Sequence, residues 1–101
     1  MDIVTVGLAV RLHAKPGKEQ EVERFLRSAA PLVAREPGTT TWFALKFGDG
    51  VFGIFDAFPG DAERKAHLAG AVAAALGDRA AELLASPPVI DQVDVVAAKL
   101  A

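Results

Sequence analysis

Apolar positions alternate along the first part of the chain and then change to a helical spacing. Residues 3–14 place a large aliphatic side chain at every second position, which predicts a strand with one strongly apolar face. After a Lys-Pro-Gly turn at 15–17, apolar residues recur every three or four positions from about Lys18, as on the buried face of a helix. Pro31 predicts a kink or break in that helix, because proline lacks the N–H that continues the hydrogen bonding. The Glu-Pro-Gly sequence at 36–38 predicts its end.

Two apolar runs follow, and together they predict a β-hairpin. Residues 39–47 open with three threonines, which favour strands, and Val51–Phe58 is apolar on both faces except for Asp56. The Gly-Asp-Gly sequence at 48–50 supplies the positive φ angles that a short loop requires. We therefore expect these two strands to be antiparallel neighbours.

The rest of the chain predicts helix and then a last strand. Residues 61–76 have helical spacing with Asp61 as the N-cap, Gly77 is expected to end this helix, and 79–85 are expected to form a second short one. A Ser-Pro-Pro sequence then forces extended chain before a strand at 89–97. The order β-α-β-β-α-β is the split βαβ, or ferredoxin-like, arrangement of an α+β fold. We thus predict one domain, 1–101, with a four-stranded antiparallel sheet and both helices on one face.

The composition narrows the function classes. With 101 residues, no cysteine and a net charge of −2, the chain has neither a disulfide framework nor the basic surface typical of nucleic-acid binding. No signal peptide is evident, and the longest uncharged apolar stretch, 68–77, is far short of the roughly 20 residues that span a bilayer. Two histidines without cysteine make a poor zinc site. We predict a cytoplasmic protein with no metal or cofactor and no nucleic-acid or membrane partner.

The expected oligomeric state follows from how much of the sheet the two helices can cover. Two helices shield one face of four strands, and the other face would display aromatic residues of the hairpin. These are Phe43 or Trp42, and Phe55 or Phe52, depending on the register. An exposed apolar patch of that kind usually marks an interface. We expect a homodimer in which two copies press their open faces together, and the alternative is a monomer with a modestly apolar exposed sheet.

Several short motifs resemble one known family. They are Glu36-Pro37-Gly38 before a strand, Asp56-Ala57-Phe58 at the end of the apolar strand, Lys65-Ala66-His67-Leu68 in the second main helix, and Ser86-Pro87-Pro88-Val89-Ile90 before the last strand. In this combination the chain resembles the antibiotic biosynthesis monooxygenase family of the dimeric α+β barrel superfamily. The resemblance extends from the first strand to the last.

The resemblance carries expectations about fold and activity. It implies a ferredoxin-like protomer, a homodimer joined sheet to sheet, and a pocket between the sheet and the helices. It also implies oxygenation of phenolic or quinol-like substrates without metal or flavin. His67 matches the histidine that recurs in the family's second main helix. Asp56 stands where the family commonly has Glu, and its carboxylate has a shorter reach because Asp lacks one methylene.

His67 and Asp56 are the candidate catalytic residues. A histidine accepts a proton near neutral pH, and the helical spacing places His67 at the edge of the buried stripe. There it either faces a pocket as a base or has a structural role. Asp56 is a lone carboxylate in an apolar strand, where an unpaired charge is costly. Whether Asp56 orients His67, pairs with Arg11 or Arg64, or caps the nearby turn is open at this point.

Four further residues are candidates for substrate binding, namely Trp42, Phe55, Arg11 and Arg64. Trp42 either stacks on a planar ring, with its N–H donating one hydrogen bond, or packs in the core of the dimer. Arg11 lies on the face of the first strand that carries small residues, where an anionic substrate would meet it. Phe55 and Arg64 complete the predicted contacts.

Three functions are consistent with these residues. The first is a cofactor-independent monooxygenase for a small electron-rich aromatic, a hydroquinone or a polyphenol, with His67 as the base, Asp56 or Arg64 as its partner and Trp42 as a wall of the pocket. The alternative is a non-catalytic dimeric domain of the same fold that binds a small ligand or is associated with stress. The third is a haem protein with His67 as the axial ligand.

Overall fold

The structure is a computed structural model that describes residues 3–101. Its elements are β1 (Val6–His13), α1 (Glu19–Val33), β2 (Thr41–Gly48), β3 (Val51–Phe58), α2 (Asp61–Leu68), α3 (Ala71–Leu83) and β4 (Val89–Asp94). The predicted α+β class and the split βαβ order are confirmed. None of the helices in this part of the chain is long and apolar enough to cross a membrane.

The four strands form one antiparallel sheet in the order β2-β3-β1-β4. The predicted hairpin is confirmed, since β2 pairs with β3 across a turn in which Gly48, Asp49 and Gly50 all have positive φ. Glycine reaches that region without steric cost, which is why two glycines flank the turn. The last strand ends at Asp94, three residues earlier than the alternation predicts.

The helices cover one face of the sheet, which we call the helix-facing side. Phe52 and Ile54 of β3 pack there against Leu26 of α1 and Leu76 of α3, all of them buried. Because side chains alternate along a strand, Asp56 lies on the same side as Phe52 and Ile54. The opposite side, the open face, exposes more than half of Phe43 and Phe47.

The helical region departs from the prediction at its break. The chain does not continue from Asp61 to Leu76 but ends α2 at Leu68, and α3 then runs through Gly77. The break lies at Gly70, whose extended backbone (ψ −174°) precedes α3. An added Cβ at Gly70 would come within 3.2 Å of the carbonyl oxygen of His67, whereas one at Gly77 would meet nothing within 4 Å. The chain thus breaks at Gly70, where a side chain would be crowded, and continues as helix through Gly77, where a side chain would have open space.

One prediction of a helix start was wrong, and of the kink or break expected at Pro31 the break does not occur. Asp61 is the first residue of α2, and the extended Gly60 precedes it without a side-chain cap. Pro31 does not interrupt α1, which continues to Val33. Proline removes one hydrogen bond, but the helix closes its last turn with the N–H of Ala34 on the carbonyl of Ala30.

Candidate active site

Three side chains from different elements meet where α2 packs on the sheet, and we call them the Asp56–His67–Glu36 group. His67 lies in the last turn of α2 and is 7% exposed. Its Nε2 is 3.0 Å from Oδ2 of Asp56, and its Nδ1 is 2.5 Å from Oε1 of Glu36. The Thr39 hydroxyl donates to the same Glu36 oxygen at 2.7 Å. Both ring nitrogens of His67 therefore face a carboxylate.

The fold brings this group together through three separate segments. Asp56 projects from β3 on the helix-facing side and is 1% exposed, so its charge is enclosed by apolar neighbours. Glu36 comes from the loop between α1 and β2 and keeps 21% of its side chain exposed. The ring of Phe58, two residues along β3, lies 5.4 Å from the His67 ring. The group thus extends from the buried Asp56 to the partly exposed Glu36.

The two carboxylates determine the charge of the imidazole. Burial by itself lowers the pKa of His67, but the hydrogen bonds that its ring donates to Asp56 and Glu36 outweigh the burial and raise the pKa above its ordinary value of 6.5. In the protonated form both ring nitrogens donate, one to each carboxylate. His67 therefore holds its proton to a higher pH than an ordinary histidine does, as an imidazolium between two carboxylates, and a free lone pair exists only after it loses that proton.

A cleft of about 860 Å³ opens beside the group, between α2 and the loop that precedes β2. Its lining combines apolar residues with a few polar ones, including Leu32, Glu36, Thr39, Glu63, Ala66 and His67. A small-molecule site has this composition, in which apolar walls carry few polar groups that fix orientation. Arg35 is the cationic side chain among the lining residues. Glu36 thus links the cleft to the buried imidazole.

Two glycines shape this cleft. A Cβ at Gly38 would come within 2.8 Å of the Glu63 side chain, and one at Gly70 would come within 3.2 Å of Oε2 of Glu36. Both distances are shorter than ordinary van der Waals contact. The absence of side chains at these two positions lets the Glu36 and Glu63 carboxylates lie where they do.

Of the alternatives open for Asp56, the structure shows contact with His67. Asp is one methylene shorter than the Glu common in the family at this position, but the contact with His67 still forms, because Oδ2 lies 3.0 Å from Nε2. Glu36 was not among the residues singled out for chemistry. Its Glu-Pro-Gly context predicts the end of a helix, although an acidic residue immediately before Pro-Gly is also a polar group that a turn can present to a neighbouring helix.

Trp42 lies on the helix-facing side rather than the open face. It packs against both buried clusters beneath α1 and α3, and it lies directly across from Asp56 in the β2–β3 register. This side does not favour the alternative in which Trp42 packs in the core of a dimer joined through the open face. It lines a second groove, of about 620 Å³, together with Lys46 and Glu23. It does not line the cleft beside His67.

The other predicted contacts lie outside the cleft. Arg64 has an 11% exposed side chain and donates to the backbone carbonyls of Gly7 and Val93, both at 3.3 Å, so it fastens α2 to β1 and β4. Arg11 stacks over the Phe47 ring, 4.4 Å from its centroid. Arg11 and Phe55 line a separate small pocket of about 200 Å³ on the open face.

Among the described residues, no group of three or more histidine, cysteine, aspartate or glutamate side chains is placed to hold a metal ion. Axial ligation of haem requires an imidazole nitrogen with a free lone pair. Both nitrogens of His67 instead face carboxylates, and the one beside Asp56 lies in the core. This arrangement does not favour the haem hypothesis.

Comparison with known proteins gives a close relative and more distant ones. No family model matches the sequence, and no curated protein matches it. The crystal structure of NE2512, a protein of unknown function from Nitrosomonas europaea, is 54% identical, covers 100% of this chain and 98% of its own, and superposes with a TM-score of 0.96.

The distant relatives show the fold. A Caulobacter crescentus protein, provisionally assigned as an antibiotic biosynthesis monooxygenase, is 24% identical over 95% of this chain and 93% of its own, with a TM-score of 0.79. A Nitrosomonas europaea protein with the same provisional assignment is 20% identical over 91% of this chain and 99% of its own, with a TM-score of 0.81. The resemblance seen in the sequence is thus confirmed at the level of the fold. The protein belongs to the same family as NE2512 and has the fold of the antibiotic biosynthesis monooxygenases.

Proposed function

We propose that this protein is a cytoplasmic, cofactor-independent monooxygenase that acts on a small electron-rich aromatic, a hydroquinone or polyphenol, in the cleft beside α2. The observation that supports this function is the placement of the Glu36 carboxylate, which lines the cleft and contacts the buried His67. Glu36 and His67 together form a base. The substrate proton enters at Glu36, and His67 holds it as the imidazolium that Asp56 stabilises.

The raised pKa of His67 suits this role. A carboxylate alone is too weak a base to take a proton from a phenol efficiently, because general-base catalysis is most effective when the pKa of the base lies near the working pH. After His67 loses its proton, the Glu36–His67 pair is one proton short. When the pair regains that proton, His67 is again an imidazolium that donates a hydrogen bond to each carboxylate. These two hydrogen bonds favour the protonated state.

The reaction balances without an external reductant. A hydroquinone, once deprotonated, is electron-rich enough to transfer electrons to O₂, and one hydroquinone with one O₂ gives one hydroxyquinone and one water. The substrate supplies all the electrons. The protein needs to provide a base, a site that excludes water, and a fixed orientation. The apolar walls of the cleft beside Glu36 would orient such a substrate.

Oxygen uptake by metal-free protein tests this function. With a hydroquinone series, uptake should fall by about 10²–10⁴-fold in Glu36→Gln and in His67→Gln, the range typical of lost acid–base catalysis. Glu63→Gln is the matched control, because Glu63 lines the same cleft but is not part of the Asp56–His67–Glu36 group. Label from ¹⁸O₂ in the product distinguishes oxygenation from simple oxidation. Uptake no higher than in buffer would remove the proposal.

The pH profile provides a second test of the same base. Since the pKa of His67 is raised, kcat/KM should increase with pH through a midpoint above 6.5, where His67 loses its proton. Asp56→Asn removes a carboxylate that favours the imidazolium, so its midpoint should move to lower pH. A profile that is flat across this range, or one that falls, would contradict the base assigned to Glu36 and His67.

One observation favours the alternative, a non-catalytic dimeric domain that binds a small ligand or is associated with stress. Both ring nitrogens of His67 are occupied, as expected if the imidazolium only fastens α2 to β3 and to the loop before β2. A ligand that binds the folded state alone raises the melting temperature. Thermal stabilisation by small phenols without any oxygen uptake would support this alternative.

A further inference from the structure

Two buried polar atoms lack a hydrogen-bond partner in the part of the chain that the structure describes. They are Nε1 of Trp42, a donor, and Oδ1 of Asp56, an acceptor. Buried polar groups are nearly always hydrogen-bonded, and an unmet one destabilises the fold. A donor and an acceptor left unmet in the same core suggest that each is the partner of the other.

The register of the sheet places these two residues side by side. Trp42 of β2 lies directly opposite Asp56 of β3, and both project to the helix-facing side. The Cβ atoms of directly opposed residues are about 4.5–5.5 Å apart, which is within reach of an indole and a carboxylate. The other oxygen of Asp56 is already used, because Oδ2 faces Nε2 of His67.

Other charged groups near this position have their own partners or lie on the surface. Lys46, two residues further along β2 on the same side, donates to Glu23 of α1 at 3.1 Å. Glu36 contacts His67 from the loop, and Glu63 and Arg35 line the cleft. The indole N–H is thus the donor that the sheet itself places next to Oδ1 of Asp56.

We propose that the Trp42 indole N–H donates to the second oxygen of Asp56, through one interposed water or, after a small side-chain movement, directly, and that Trp42 is a positioning residue for His67. The chain of polar groups then runs from Trp42 through Asp56 and His67 to Glu36. With a donor on each oxygen the Asp56 carboxylate has one fixed orientation, and the ring plane of His67 follows from it. The part played by Trp42 in catalysis rests on the proposed function, whereas its bond to Asp56 does not.

This bond has a consequence for the titration of His67. When His67 is charged, Asp56 is stabilised by the imidazolium, but when His67 is neutral the carboxylate depends more on the indole. Loss of the indole N–H therefore destabilises the neutral state of His67 more than the charged one. The titration midpoint of His67 should rise in Trp42→Phe, which removes the N–H and keeps an aromatic ring.

Nuclear magnetic resonance of the full chain tests the proposal without turnover. The protein has one tryptophan and two histidines, so the indole N–H signal and both imidazole titrations are readily assigned. In the unaltered protein the indole signal should follow the titration of His67, and Asp56→Asn should shift it. In Trp42→Phe the His67 midpoint should rise by about half a pH unit or more, while His13 serves as the internal reference. Phe52→Leu is the control for altered packing, because Phe52 belongs to the same buried cluster but has no polar atom.

The outcomes separate cleanly. Magnetisation transfer from water to the indole N–H identifies an interposed water, and its absence together with a response to Asp56→Asn identifies the direct bond. An indole signal that ignores both Asp56→Asn and the His67 titration overturns the proposal. So does a His67 midpoint that Trp42→Phe moves no more than Phe52→Leu does. Absence of oxygen uptake would refute the proposed function and leave this test unchanged.

Discussion

At the scale of single residues, the cost of burying Asp56 explains most of the site. An ionised carboxylate in an apolar core is strongly unfavourable unless it is paired, and Asp56 is 1% exposed. His67 provides the pairing charge, and Glu36 with Thr39 completes the polar surroundings of the imidazole. The site therefore depends most on His67, because its loss leaves the Asp56 carboxylate buried without a pairing charge.

The stability of the fold should accordingly depend on pH through His67. Its pKa is raised in the folded state, so its stabilising contribution is fully present below the unfolded pKa of about 6.5 and is lost as pH rises through the folded pKa. His67→Gln keeps an amide donor near Asp56 but has no charge. At pH 6 it should lower the free energy of unfolding by about 1–3 kcal/mol.

Denaturant unfolding at several pH values measures this effect. The difference between the unaltered protein and His67→Gln should be larger at pH 6 than at a pH above the folded pKa of His67. His13→Gln, at the end of β1 and outside the Asp56–His67–Glu36 group, is the matched control and should show no such trend. A difference that grows with increasing pH would contradict the assigned direction of the shift.

At the scale of elements, the break between α2 and α3 positions His67. The break at Gly70 follows the end of α2, which lies one residue after His67. The N–H of Gly70 donates to the carbonyl of His67 at 2.9 Å. A continuous helix from Asp61 to Leu76 would have no such turn beside Glu36. A Cβ added at Gly70 would meet Oε2 of Glu36, so the turn lies directly beside the site.

Two glycine substitutions distinguish the position of the break. Gly77→Ala should raise the free energy of unfolding by about 0.5–1 kcal/mol, because Gly77 lies inside α3 with open space around its Cα and alanine is the better helix former. Gly70→Ala should lower it, because the new Cβ meets Glu36 and the His67 carbonyl. Chemical denaturation of both variants measures the two effects. Equal changes of the same sign would contradict the break at Gly70.

Local patterns predicted the elements well and their joints poorly. The alternation in β1, the Gly-Asp-Gly hairpin and the spacing in α1 depend on residues close in sequence, and the structure has all three. The break at Gly70 depends on Glu36, which lies in another segment. The Asp56–His67 contact matched one of the alternatives, whereas Glu36 joined the site through a tertiary contact that no local spacing indicates.

At the scale of the whole molecule, the open face is still uncovered. It exposes 56% of Phe43, 40% of Leu45 and 55% of Phe47 along β2, next to the half-buried Phe55 of β3. Arg11 lies over the Phe47 ring on this face. We propose that a second copy of the chain covers it, because two such faces are self-complementary about a two-fold axis and bury the aromatic rows together.

The mass in solution tests this proposal. The unaltered protein should sediment at about twice the 10.6 kDa of one chain, as expected for two copies related by a two-fold axis. Phe43→Glu with Phe47→Glu places like charges opposite one another across that axis, so the double variant should sediment as a single chain. Leu32→Glu is the matched control, because Leu32 is a 38% exposed apolar residue on α1 rather than on the open face, and it should leave the mass unchanged. A single-chain mass for the unaltered protein at high concentration would contradict the proposed homodimer. The cleft beside α2 would survive that result, because its lining residues lie in the three helices and the loops between the elements rather than on the open face.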